Sequence, residues 1–201
     1  GALKIARKGT GTFEVVVHGK ASHAGLEPEK GVNALVAAAE LITHIATFGD
    51  LSTATTVTPT VAVAGTVDNV VPAEARVKVD VRVEQPGEKE RLEGLFASLV
   101  TSVPGATIEV LGGINRPPMP ATASATLFPV AVAAAAAAGL GEVRGVGVGG
   151  GSDGNFTAAR GVPTLDGLGA VGGGAHADHE FVLVDTMVAR AQLLAALIDR
   201  L

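Results

Sequence analysis

Three short strings hold most of the residues able to do chemistry. In Gly19-Lys20-Ala21-Ser22-His23-Ala24-Gly25, one imidazole sits between two glycines, directly after an alternating stretch from Phe13 to Val17. A tight turn at a strand end lets an imidazole reach a ligand, and imidazole can donate, accept or bind metal near neutral pH. A lone loop histidine is more often a solvated surface residue, so the string alone decides nothing. The second string, Val148-Gly149-Gly150-Gly151-Ser152-Asp153-Gly154-Asn155, precedes a predicted helix, where backbone N–H groups can cradle an anionic or carbonyl group. It lacks the lysine and spacing of a nucleotide-phosphate loop, which leaves a plain connection as the default. The third, Gly172-Gly173-Gly174-Ala175-His176-Ala177-Asp178-His179-Glu180-Phe181, gathers two imidazoles and two carboxylates beside a glycine turn. Such a cluster suits metal or substrate chemistry, and equally suits a solvated polar loop.

The elements around these strings fall into two blocks. Phe13, Val15 and Val17 alternate as a strand, and Val32, Leu35, Val36, Ala39, Ile42 and Ile45 recur at helical spacing. Thr56 to Ala64 reads as a second strand. A third, Ala75 to Glu84, puts Ala75, Val77, Val79, Val81 and Val83 on one face and charged residues on the other. A helix from about Glu88 to Val103 and a strand from Thr107 to Leu111 complete a βαββαβ order, the ferredoxin-like split arrangement with helices on one face of four antiparallel strands. Gly112-Gly113 to Pro120 reads as a boundary or hinge. Beyond it, Thr122 to Ala138 is apolar on nearly every side, with nothing obvious to cover it. Short strands (Glu142 to Val146, Pro163 to Leu168) alternate with helices (about Ser152 to Arg160, Val184 to Arg200), as in an α/β layer. Two strands make a poor sheet, so this block reads as part of a larger α/β domain.

Composition narrows the function classes. With 201 residues and 47% apolar content the chain can build a real core, and a net charge of −5 without Lys/Arg clusters argues against nucleic-acid partners. Cysteine is absent, so any metal must be held by His, Asp or Glu. The N-terminus lacks a signal-peptide pattern, and the longest apolar run, Val130 to Ala138, falls short of the about 20 residues of a membrane span. The expected compartment is the cytoplasm, with no membrane partner.

Together the three strings resemble the two-zinc peptidase family of glutamate carboxypeptidase, aminoacylase and succinyl-diaminopimelate desuccinylase, over essentially the whole chain. The resemblance implies a lid or dimerisation domain over residues 1–115 and the closing part of an α/β catalytic domain over 116–201. His23 matches the lid histidine that reaches the neighbouring subunit's site and stabilises the oxyanion. Asn69, in Val67-Asp68-Asn69-Val70-Val71-Pro72, matches a substrate-contacting lid asparagine, and Arg116, in Asn115-Arg116-Pro117-Pro118, an arginine that grips a substrate carboxylate. Gly151 and Ser152 match the loop that holds the substrate backbone, and His176 the last metal ligand, with Glu180 at the expected spacing behind it.

His176-Ala177-Asp178 also reads as His-x-Asp, the family's first metal motif, but its place near the C-terminus is wrong for that role. No segment matches the first histidine, the bridging aspartate or the general-base glutamate. The implied protein is a homodimeric, two-zinc amidohydrolase acting on a small peptide or N-acyl amino acid, of which this chain is a fragment inactive alone. The rival is a non-catalytic dimerisation or association module; a small-molecule domain built on the glycine loop explains neither His23 nor His176.

Overall fold

The computed structural model describes every residue except Pro86. Contacts divide the chain into two compact units, Gly9–Pro117 and Gly1–Lys8 with Pro118–Leu201. The expected division at 115/116 is thus corrected at the N-terminus, because β1 (Leu3–Arg7) pairs in parallel with β6 (Gly145–Val148) of the second unit.

The first unit is built on β2 (Gly9–His18), α1 (Ala34–Ile45), β3 (Thr56–Ala64), β4 (Glu74–Val83), α2 (Glu88–Ala97) and β5 (Thr107–Arg116). The four strands form one antiparallel sheet in the order β3-β4-β2-β5, the ferredoxin-like arrangement. Alternation makes the core: Phe13, Val15 and Val17 of β2 and five apolar residues of β4 pack against Ala37, Leu41 and Ile45 of α1 and Leu92 and Phe96 of α2. Phe96 stacks on Phe13 with centroids 3.9 Å apart and meets Phe48 edge-on. The opposite face carries Glu14, Arg76, Lys78, Asp80 and Arg82, as expected of a wet face, although Val16 is buried there. Asn33 starts α1, its side chain accepting from the Leu35 and Val36 amides.

Gly112 and Gly113, expected to open a hinge, lie inside β5 instead. Both have positive φ (85° and 146°) and pair with Phe13 and Thr12, while the register shifts further along, between Thr10 and Gly11, whose partners are Arg116 and Ile114. The bulge falls at Asn115, which that shift skips, and the boundary follows at Pro117. The predicted second helix ends at Ala97, six residues early.

In the second unit, β1 has β6 on one side and isolated bridges to Met119 and Asp166 on the other. The unit also holds helices α3 (Leu127–Ala137), α4 (Gly154–Ala159) and α5 (Met187–Ile198). The apolar α3 is not bare, since Ala131, Ala134 and Ala135 are fully buried with Leu3 and with Leu193 and Leu197 of α5. The predicted strand 163–168 is reduced to the Asp166 bridge, for Pro163 lacks an amide donor and Gly167 turns left-handed (φ 71°). A two-residue hairpin, β7 (Gly172–Gly173) with β8 (Phe181–Val182), completes the unit. No helix among the described residues is long and apolar enough to cross a membrane.

Candidate functional site

Beyond His18 the β2–β4 pairing continues irregularly. Gly19 N–H donates to Ala73 O (2.8 Å), Val71 N–H to Ser22 O (2.9 Å) and Ala24 N–H to Asn69 O (2.8 Å). This short ladder joins His23 and Asn69 into one exposed ridge at the end of the sheet. The His23 ring is turned to its own loop, Nδ1 accepting from the amides of Gly25 (3.1 Å) and Leu26 (3.2 Å). Beneath it, Ser22 Oγ is buried without a hydrogen-bond partner among the described residues, and a Cβ at Gly31 would collide with it. An open cleft of about 510 Å³ beside the ridge is lined by Ala24, Leu35, Val67, Asp68 and Pro72, among others.

Arg116 lies elsewhere. It is half-buried and pairs with Thr10 at the far end of β5, so eight strand residues, roughly 26 Å, separate its rung from that of His18.

In the second unit, the glycine loop is pinned rather than open. Ser152 N–H donates to Asn155 Oδ1 (2.8 Å), and Gly154 N–H to Ser152 Oγ (3.1 Å), so these two amides are not waiting for an anion. The Ser152 hydroxyl donates to Asp166 Oδ2, which also receives Arg7 Nε at 2.6 Å, while Arg7 reaches Gly150 O at 2.7 Å. Burial pushes the Asp166 carboxyl up, but Ser152, the Gly167 amide and Arg7 together hold it below its usual range. Fully buried Asn155 donates to Lys8 O at 3.1 Å and ties the loop to the end of β1.

His176 sits at the tip of the β7–β8 hairpin with φ 67°, one of only two non-glycine residues in the left-handed region among those described. Such strain in a residue other than glycine costs of order 1 kcal/mol and gathers at functional positions. Glu180 Oε2 accepts the His176 amide at 3.4 Å.

Residues 5–107 match the family described as the peptidase dimerisation domain of M20 peptidases. The chain belongs to the M20 peptidase family. It is 34% identical over 98% of its length to carboxypeptidase G2 of Pseudomonas sp. (strain RS-16), spanning 48% of that protein. Among solved structures, aminopeptidase PepT of Bacillus cereus superposes with a TM-score of 0.75 at 25% identity, over 99% of this chain and 53% of that one. A dinuclear metal-binding M20 peptidase of Bacillus subtilis shares the fold (TM-score 0.60, 21% identity, 95% and 49% covered). The chain thus spans about half the length of these M20 relatives.

A metal fits these residues only in part. Among the described residues no three His, Asp, Glu or Cys side chains converge, so His176 stands as a single candidate ligand and no step can be routed through a metal on this chain alone. Sequence reasoning missed Arg7, Asp166 and Asn155, the residues that hold the glycine loop. Arg7 and Asp166 are 159 positions apart, and no local spacing announces such a pair.

Proposed function

We propose that this chain carries the lid and the C-terminal part of the catalytic domain of a zinc-dependent, homodimeric peptidase or amidohydrolase, which hydrolyses an amide bond next to a carboxylate in a small peptide or N-acyl amino acid. Membership of the M20 family and the match to a dimerisation domain support both the hydrolase and its self-association. Arg116 would take the substrate carboxylate, Asn69 and the Gly151-Ser152 segment, through groups other than the Ser152 amide held by Asn155, its polar groups, and His23 the oxyanion that forms as the amide carbonyl is attacked. His176 would supply one ligand to a two-zinc centre whose other ligands lie elsewhere in the whole protein.

The observation that carries this reading is the separation of His23 from Arg116. A small substrate cannot span the roughly 26 Å of sheet between Thr10 and His18, so one lid cannot use both residues on one molecule. His23 therefore serves the site of a second copy, and the dimer becomes a catalytic requirement.

Mixing tests it. In the whole enzyme, His23→Ala should lower turnover by roughly 10²-fold with zinc content intact, and Arg116→Ala should act mainly on KM. Dimers re-formed from the two variants together should regain turnover, because one of their two sites is whole. Mixed dimers no better than either parent would overturn the shared site. For this chain by itself, the absence of three converging ligands among the described residues favours an association module, with Leu35, Val36, Val61 and Val63 exposed on α1 and β3.

A further inference from the structure

The His23 ring is held by the turn it begins. Glu27 N–H donates to His23 O at 3.1 Å, closing one helical turn over residues 23–27. Inside that turn the His23 Nδ1 accepts from Gly25 N–H and Leu26 N–H, two and three residues on. Serine, threonine, aspartate and asparagine cap helix starts in this way, the side chain accepting the orphan amides of the first turn. His23 is doing the work of a cap residue with a ring nitrogen.

That geometry decides where the ring proton is. A peptide N–H can only donate, so Nδ1 must present its lone pair to both amides, and the single proton of the neutral imidazole then resides on Nε2. The opposite tautomer would aim an Nδ1–H at two amide protons and lose both bonds. Full protonation would do the same. Space around the turn is ample: a Cβ at Gly25 would meet His23 Cε1 at 3.7 Å and Nδ1 at 3.8 Å, ordinary contacts, so the cap does not depend on glycine there.

We propose that this one-turn cap fixes His23 as the Nε2–H tautomer, making it a permanent hydrogen-bond donor whose partner is an acceptor oxygen of a carbonyl, carboxylate or oxyanion, and barring it from acting as a general base. A base at this position would need a free lone pair on Nε2, which the cap denies. Only the choice of acceptor rests on the function proposed above; the tautomer rests on the turn.

The test uses the 201-residue chain, labelled with ¹⁵N, and long-range proton–nitrogen correlations of its imidazoles at about pH 8, where unperturbed histidines are neutral. His23 should show one tautomer, protonated at Nε2, in the wild type and in Gly25→Ala. His18, His44, His176 and His179 serve as comparison rings in the same spectrum. Amide exchange at Gly25 and Leu26 should quicken about fivefold in His23→Ala and stay near the wild-type rate in His23→Asn, whose side chain can still cap. An Nδ1–H ring, an average of the two tautomers, or unchanged exchange in His23→Ala would overturn the proposal. A fixed Nε2–H ring combined with unchanged turnover of His23→Ala in the whole enzyme would keep the cap and remove the catalytic reading, so the two failures are distinct.

Discussion

Glu88, the first residue of α2, is a buried carboxylate kept ionised by convergent donors. Arg91 grips it with two bonds of 2.8 and 2.7 Å, and the hydroxyls of Thr55 (2.6 Å) and Thr53 (3.1 Å) add to them. Against the push of burial, these bonds, Arg91's first, hold its carboxyl down at about 2, from an ordinary 4.5. A depressed folded value means the stabilisation is complete above about pH 4.5 and drains away as pH falls toward 2. Glu88→Gln should therefore cost on the order of 2 kcal/mol at pH 7, with the gap to wild type narrowing below about pH 4.5 and closing only once the pH falls below about 2, in urea titrations. Asp166 makes a second case. Asp166→Ala would leave Arg7, whose side chain is only 14% exposed, without its counter-ion and release Ser152, a loss of about 2 kcal/mol measurable in the same way. At this scale the sequence shows which residues can do chemistry but not what they touch: His23, Ser152 and His176 stand out by motif, whereas Arg7 and Asp166 look like ordinary surface charges until the fold pairs them.

Strand β4 was legible in advance, and the reason is period. β4 alternates apolar and charged residues without a break, and its buried and wet faces follow that alternation residue by residue. The 163–168 segment has only Leu165 and Leu168 and no such alternation, and its proline and left-handed glycine leave it one bridge. The Gly112-Gly113 pair misled in the other direction, because a glycine pair looks the same in a hinge and inside a strand that runs close to its neighbour. What separates the two is the partner strand: a Cβ on Gly112 would collide with the Thr12 carbonyl oxygen, and its φ of 85° is strained for any side chain. Gly112→Ala should accordingly destabilise the lid by about 2 kcal/mol or more, while Gly94→Ala, in α2 with open space around it, should be neutral or stabilising. Thermal melts of the two variants compare them directly.

The whole molecule is two units of which the lid, Gly9–Pro117, is continuous in sequence and has its own apolar core. A polypeptide of those residues should melt cooperatively and self-associate, and Val63→Lys on the exposed edge strand β3 should lower its mass in sedimentation equilibrium without lowering its melting temperature. The division was half visible in advance: the prolines at 117 and 118 mark one border, but nothing near Lys8 marks the other, since β1 is identified as part of the second unit by its partners in the fold, β6 foremost. That pairing sets an order of events. At a ribosomal rate of ~5–20 residues per second, the 138 positions from Arg7 to Gly145 take roughly 7 to 28 s to emerge, and the whole lid is made in between. The lid can be finished while β1 still waits for β6, a neighbour not yet translated.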